Sequence, residues 1–280
     1  MSKKNKIKNH NFQEITEIFR FASNKAATKI LEIYECDELT KKIKKDKTPL
    51  TKADIESNRI IIEILKKELR SITRVSEETQ IPDCTDFDEF ILIDPLDGTK
   101  EFLNKNGEFT VNIALIQQNR PQIGVIDVPV QQTQYYSNGY NSFRSIKNEV
   151  QIINSSKSSE LSIVCSRSHL DKKTEEFLSK INYENDLIKK GSSLKLCMIA
   201  DSKANLYIRF GKTMEWDIAA GHSILQTANA KLISFEKNDI CEFLYGKKNF
   251  KNGAFIASSS AVDLDIIKEH ALSLASYNLT

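Results

Sequence analysis

The stretch Phe90-Ile91-Leu92-Ile93-Asp94-Pro95-Leu96-Asp97-Gly98-Thr99 limits what this chain can fold into more than any other. An unbroken apolar run, of the kind that fills a strand buried on both faces, stops at two carboxylates, a proline, a glycine and a threonine. The run reads as a buried strand that holds something at its end.

With 280 residues, 40% of them hydrophobic, the chain is long enough for one large domain or two smaller ones. Forty Lys and Arg against 38 Asp and Glu leave a net charge of +2, which points to neither nucleic acid nor an anionic membrane surface. Cys36, Cys84, Cys165, Cys197 and Cys241 contain no C-x-x-C pair, so zinc and redox roles are set aside and all five read as reduced thiols. Lys3, Lys4, Lys6 and Lys8 precede no apolar run resembling a signal peptide, and no apolar stretch is long enough to span a bilayer. A cytoplasmic location is expected, with peripheral association at the inner face of the membrane compatible with it.

Spacings of three and four at Ile15, Phe19, Ala22, Ala26, Ile30 and Ile33 predict a long amphipathic helix. A lysine-rich loop follows, and Thr51-Lys52-Ala53-Asp54 opens a second helix through Leu69. Strands are predicted at Phe90–Ile93, Thr110–Ile116 and Gln122–Val128, the last two joined as a hairpin by Gln117-Gln118-Asn119-Arg120-Pro121. The Ser-rich segment Asn154 to Glu160 then marks a boundary. Residues 1–156 read as a helix-plus-sheet subdomain, and residues 157–280 as an α/β subdomain with strands at Leu161–Cys165, Leu206–Phe210 and Lys231–Ser234 and a final helix Val262–Leu274.

Asp94 and Asp97, three residues apart around a proline, can aim into one space, where two like charges repel unless a cation lies between them. Glu77 and Asp217 are the further candidates, and a set made only of oxygen donors suits magnesium first, then manganese or calcium. Each residue taken singly also has an ordinary role. Asp97-Gly98 is a turn signal, Asp217 suits a helix N-cap, Thr51-x-x-Asp54 fits a capping box, and Glu77-Glu78 would make a solvated pair. The order Asp54, Glu77, Asp94-Pro-Leu-Asp-Gly-Thr99 and Trp216-Asp217 is what raises the combination above its parts.

That ordered set resembles the magnesium-dependent, lithium-sensitive phosphatases of the inositol monophosphatase superfamily, over nearly the whole chain. The resemblance implies a layered α/β/α/β/α sandwich with the site between two subdomains. It implies metal ligation by Glu77, Asp94, the Leu96 carbonyl, Asp97 and Asp217, and a water-activating pair, Asp54 and Thr99. Two or three Mg2+ ions are implied, with Mn2+ able to substitute and Li+ and Ca2+ inhibitory. Two such ions roughly 3.5–4 Å apart hold an attacking water and neutralise the leaving oxygen.

Asp97-Gly-Thr-Lys-Glu-Phe102 resembles the 3'(2'),5'-bisphosphate nucleotidase branch, as do Cys165-Ser-Arg-Ser-His169, Gly191-Ser-Ser-Leu-Lys195 and Tyr207-Ile-Arg209. The branch implies a small phosphorylated nucleotide as partner, no nucleic acid, and a monomer or homodimer. It adds Gly98, His169, Ser192, Lys195 and Arg209 to the substrate contacts, beside Glu77, Leu96, Asp97, Thr99 and Asp217. Two other readings stay open here: a phosphatase of the same mechanism acting on an inositol phosphate or sugar bisphosphate, and a catalytically silent binder of a phosphorylated metabolite. Ala228-Asn229-Ala230 departs from the resemblance where a glycine-rich turn is usual.

Overall fold

The computed structural model describes residues 11–36, 41–43, 49–80, 87–155, 161–181, 187–236 and 239–276. Helix α1 (Phe12–Tyr34) buries Ile15, Phe19, Ala22, Ala26 and Ile30 along one face, as their spacing requires. Part of the expected lysine-rich loop is instead a short hairpin, β1 (Lys41–Ile43) with β2 (Pro49–Thr51). Helix α2 (Lys52–Glu68) leads to β3 (Thr73–Ser76), β4 (Glu89–Asp97) and the short helix α3 (Thr99–Leu103). Strands β5 (Thr110–Gln117), β6 (Arg120–Val128), β7 (Thr133–Ser137), β8 (Ser142–Ile146) and β9 (Glu149–Ile153) complete a seven-stranded sheet in chain order, parallel only between β3 and β4.

The β5–β6 turn is tighter than its sequence suggests. Gln118 and Asn119, at φ 48° and 61°, form the whole connection, because left-handed backbone at both central residues matches the twist of the paired strands.

In the second half come β10 (Val164–Ser166), α4 (Lys172–Lys180), β11 (Ile188–Lys190), α5 (Leu194–Ala200), β12 (Leu206–Arg209), β13 (Thr213–Met214) and α6 (Glu215–Thr227). Then follow β14 (Lys231–Glu236), β15 (Asp239–Glu242), β16 (Lys251–Asn252), β17 (Phe255–Ser258) and α7 (Leu264–Ser276). The strand expected from Leu161 starts only at Val164. The Ser162 amide donates to the Asn205 side chain and its carbonyl accepts from the Asn205 and Leu206 amides, so the chain is held by a loop there rather than by a ladder. Asn229 occupies the departing turn after α6 at φ 58°, a conformation asparagine tolerates next best to glycine.

The layers run α/β/α/β/α. Helices α1 and α2 cover one face of the seven-stranded sheet through Phe19, Ile61, Ile93, Ile113 and Val125. The opposite face meets α5 and α6 through Phe90, Leu92, Ala114, Ile126, Leu196 and Ile224, and the same core continues to Tyr207, Leu232 and Phe255 of the four-stranded sheet β12-β17-β14-β15. Phe177 of α4 and Ala271 of α7 close the far face with Ile208 and Ile256. Since α6 packs on sheets from both halves, the two share a core, and the expected 156/157 boundary falls outside the described residues. No helix among the described residues is long and apolar enough to cross a membrane.

Candidate active site

Strand β4 is buried from Phe90 through Leu96 and carries its two carboxylates across a bulge, since pairing with β5 shifts between Asp94 opposite Asn112 and Asp97 opposite Thr110. Pro95 lacks an N–H, so the interrupted ladder leaves no donor unmet there. The turn is braced by the Leu96 amide donating to Asp94 Oδ1 at 3.1 Å and by Ser57 Oγ donating to the Pro95 carbonyl at 2.7 Å. Gly98 then takes φ 93°, and a Cβ there would meet the Glu108 carbonyl at 3.2 Å and Ser192 Cβ at 3.3 Å. The left-handed conformation favours glycine, and the close neighbours leave a Cβ little room.

Thr99 opens α3 and donates from Oγ1 to Asp54 Oδ1 at 3.1 Å, with the Leu96 carbonyl at 3.4 Å. The other oxygen of Asp54, Oδ2, accepts from the Thr51 amide at 2.7 Å and Thr51 Oγ1 at 2.5 Å. Asp54 thus closes the capping box of α2 with one oxygen and meets Thr99 with the other.

Glu77 directly follows β3, its amide donating to the Ile93 carbonyl at 3.1 Å, so parallel pairing of β3 with β4 sets it beside the bulge. Asp217 sits at the third position of α6, not at its cap, with Oδ2 accepting from the Met214 amide at 2.8 Å. Asp97 Oδ2 accepts from the Ser193 amide at 2.6 Å. Burial and then the charges of Glu77, Asp97 and Asp217 push the Asp94 carboxyl well above its ordinary range, and burial, Asp97 and Glu77 do the same to Asp217. Asp97 is pushed up to about 6, chiefly by burial, against the opposing pull of Lys195.

Among the described residues no three His, Cys, Asp or Glu side chains are gathered tightly enough to hold an ion as they stand. Even so, the mutual repulsion of four carboxylates, with oxygen as the sole donor type, is what a hard divalent cation would offset, and the donor set fits magnesium.

These groups line one cleft of about 570 Å3 together with Leu96, Gly98 and Thr99. Asp54 lies behind Thr99. The facing wall brings in His169, Ser192, Lys195 and Arg209 from the second half, so the cleft gathers every residue singled out from sequence except Asp54. Ser192 adopts φ 45°, and its carbonyl accepts from Lys195 Nζ at 2.5 Å. Lys195, 4% exposed, lies with Nζ 5.3 Å from the centroid of the Tyr207 ring. Arg209 reaches the Gly211 and Lys212 carbonyls at 3.4 and 3.3 Å. Burial would ease its proton off, but Tyr207, Asp217 and Asp171 outweigh that and hold it charged. Burial, then Lys100 and Arg209, lower the His169 pKa and keep its imidazole neutral. His169 does not cap the following helix, because Asp171 Oδ1 takes that role toward the Thr174 amide at 3.0 Å.

Several cleft residues were not singled out as site residues. Glu101, 3% exposed, accepts from Ser168 Oγ at 2.6 Å; its place in the Asp97-to-Phe102 motif was the available signal. Lys100, Lys212 and Lys251 stand exposed at the rim. Lys212 and Lys251 arrive there through the β13–β16 ribbon, which no local pattern announces.

The Inositol monophosphatase family model matches residues 11–272 of the chain. The 3'(2'),5'-bisphosphate nucleotidase CysQ of Salmonella typhimurium is 37% identical over 224 residues, covering 77% of this chain and 88% of that protein. The protein of the same name from Buchnera aphidicola is 38% identical over 238 residues, covering 82% and 88%. The crystal structure of CysQ from Bacteroides thetaiotaomicron, described as a bacterial member of the inositol monophosphatase family, superposes with a TM-score of 0.77 at 34% identity, covering 90% of this chain and 99% of that one. With the sandwich, the bulged β4 turn and these matches in agreement, the chain belongs to the inositol monophosphatase family.

Proposed function

We propose that this chain is a magnesium-dependent phosphatase of 3'(2'),5'-bisphosphate nucleotides that removes the 3'-phosphate of 3'-phosphoadenosine 5'-phosphate, yielding adenosine 5'-phosphate and phosphate. The observation that carries the reading is the meeting, in one cleft, of the carboxylates Glu77, Asp94, Asp97 and Asp217 with the Thr99–Asp54 hydrogen bond and a cationic facing wall. The similarity to proteins named CysQ supports the substrate class.

Glu77, Asp94, Asp97, Asp217 and the Leu96 carbonyl are the groups that would hold the metal. When bound there, the ions supply Lewis-acid charge that makes water a better nucleophile and offsets charge on the departing oxygen. Thr99 Oγ1 takes the proton of the attacking water as its own passes to Asp54 Oδ1, along the 3.1 Å hydrogen bond. The water oxygen bonds to phosphorus while the bond from phosphorus to the ribose 3'-oxygen breaks; that oxygen keeps the bonding pair and takes a proton from solvent to become the 3'-hydroxyl. The Gly98 and Thr99 amides and the first turn of α6 orient the phosphoryl oxygens. Lys195 and Arg209 provide charge for the phosphate or ribose that is not cleaved, with Ser192 and neutral His169 completing the contacts. A cytoplasmic location belongs to this reading.

The test is phosphate release from 3'-phosphoadenosine 5'-phosphate beside inositol 1-phosphate and fructose 1,6-bisphosphate, each with magnesium and with chelator. The nucleotide should be preferred by kcat/KM and only in magnesium. Preference for either other ester would reassign the substrate, and full turnover in chelator would end the metal reading.

A further inference from the structure

The segment between α3 and β5 carries Glu108, a carboxylate that plays no part in the chemistry above. It is 7% exposed, and it faces across the chain's two halves. Arg167, after β10, grips it in a fork, Nε to Oε2 at 2.7 Å and Nη2 to Oε1 at 2.8 Å. Lys190 Nζ adds a third donor at 3.0 Å and the Gly191 amide a fourth at 2.9 Å. Burial would raise its pKa, yet Arg167, Lys190 and the Gly191 amide bring it down to about 2, so it stays ionised.

Gly191 is held tightly in the same place. A Cβ there would fall 2.5 Å from Glu101 Cγ and 2.7 Å from the Glu108 carbonyl, so no other residue fits. Two residues on, the Ser193 amide donates to Asp97 Oδ2 at 2.6 Å, while Ser193 Oγ lies 2.8 Å from both Thr110 Oγ1 and Asn112 Oδ1. Between them Ser192 lines the cleft in left-handed backbone. The turn 191–193 is thus pinned at one end by Glu108 and at the other hands an amide to Asp97.

We propose that Glu108 is a positioning residue for the active site, anchoring the Gly191–Ser193 turn so that the Ser193 amide holds Asp97 and Ser192 faces the cleft. Its effect on turnover rests on the phosphatase reading above; its effect on the turn does not. An ordinary surface ion pair would contribute little and could be lost without consequence. Glu108 differs in being buried and in taking a backbone N–H that leads directly to Asp97. Its two cationic partners are partly exposed, at 42% and 36%, and rehydrate when it is removed, so loss of the clamp loosens the turn more than it unfolds the chain.

The experiment compares Glu108→Ala, Glu108→Gln and Arg167→Ala with wild type. The control is Glu242→Gln, which breaks the exposed Arg120–Glu242 fork elsewhere on the molecule. Two readouts are taken. Hydrogen exchange followed by mass spectrometry reports the amides of a peptide spanning 190–195, where exchange should be about tenfold faster or more in Glu108→Ala and unchanged in the control. Hydrolysis of p-nitrophenyl phosphate in magnesium should lose about tenfold or more in kcat with KM within about twofold, the pattern of an interaction made in the transition state. Glu108→Gln, which keeps an acceptor for the Gly191 amide, and Arg167→Ala should lie between. Unchanged exchange in 190–195, or kcat within about twofold of wild type in Glu108→Ala, overturns the assignment. If wild type hydrolyses no phosphomonoester, the phosphatase reading fails, and the exchange measurement alone decides whether Glu108 anchors the turn.

Discussion

Replacing Thr99 by valine removes one oxygen and leaves the side-chain volume nearly as it was. In the fold that oxygen donates to Asp54 Oδ1 at 3.1 Å, while Asp54 Oδ2 remains occupied by the Thr51 amide and hydroxyl. The start of α2 therefore keeps its capping box, and the stability lost is that of one hydrogen bond to a charged group, about 1.5–3 kcal/mol. The cost to turnover should be of another kind, because the variant breaks the route from the attacking water to Asp54. General acid–base catalysis contributes roughly 10²–10⁴-fold. The lower bound, two decades, corresponds to about 2.7 kcal/mol of barrier. Steady-state kinetics on the bisphosphate nucleotide in saturating magnesium, run beside thermal melts, separates the two costs. Thr99→Val should lose about 10²-fold or more in kcat with KM nearly unchanged, and Thr99→Ser, which keeps the hydroxyl, should retain most of the rate. If only KM moves, or if Thr99→Ser is as poor as Thr99→Val, Thr99 binds rather than relays and the path to Asp54 is wrong.

Activity should vanish in chelator and in Asp97→Asn, with calcium and lithium inhibiting the wild type. Burial and then mutual repulsion lift the Asp94 and Asp217 pKa values; by relieving the repulsion, magnesium should also raise the Tm of wild type, and an unmoved melting curve would count against metal binding there. Lys195→Ala and Arg209→Ala should each cut kcat/KM for the bisphosphate about tenfold or more while sparing a small monophosphate, since about 1.4 kcal/mol is a factor of ten; equal losses on both substrates would place these cations in the common machinery. His222 is buried against Tyr245, Nδ1 to hydroxyl at 3.0 Å, and burial lowers its pKa to about 3. The unfolded chain takes up a proton near pH 6.5 that the folded one refuses, so this group's stability is full above that pH and is lost as pH falls toward 3. The loss is at most on the order of 5 kcal/mol, and the difference between denaturation curves of wild type and His222→Asn across that window measures it.

Local sequence determined much of the scaffold. The spacing from Ile15 to Ile30 commits α1 to one buried face, and the apolar run from Phe90 commits β4 to the interior, because periodicity and burial follow from the residues themselves. The Asp94-to-Thr99 turn was equally legible, since proline, glycine and short polar side chains dictate backbone geometry over a few residues. What local sequence left undecided lies in contacts between distant segments. That Asp54 serves its helix cap and Thr99 at once depends on α2 meeting the start of α3, with Thr99 45 residues from Asp54 in the chain. That Lys212 and Lys251 share a rim depends on the β13–β16 pairing. That Glu108, inconspicuous between Gly107 and Phe109, grips Arg167, Lys190 and Gly191 depends on the two halves closing over a common core. A single carboxylate or lysine carries no periodicity and no turn chemistry, so its role is set by which segments the sheets and α6 bring to face it.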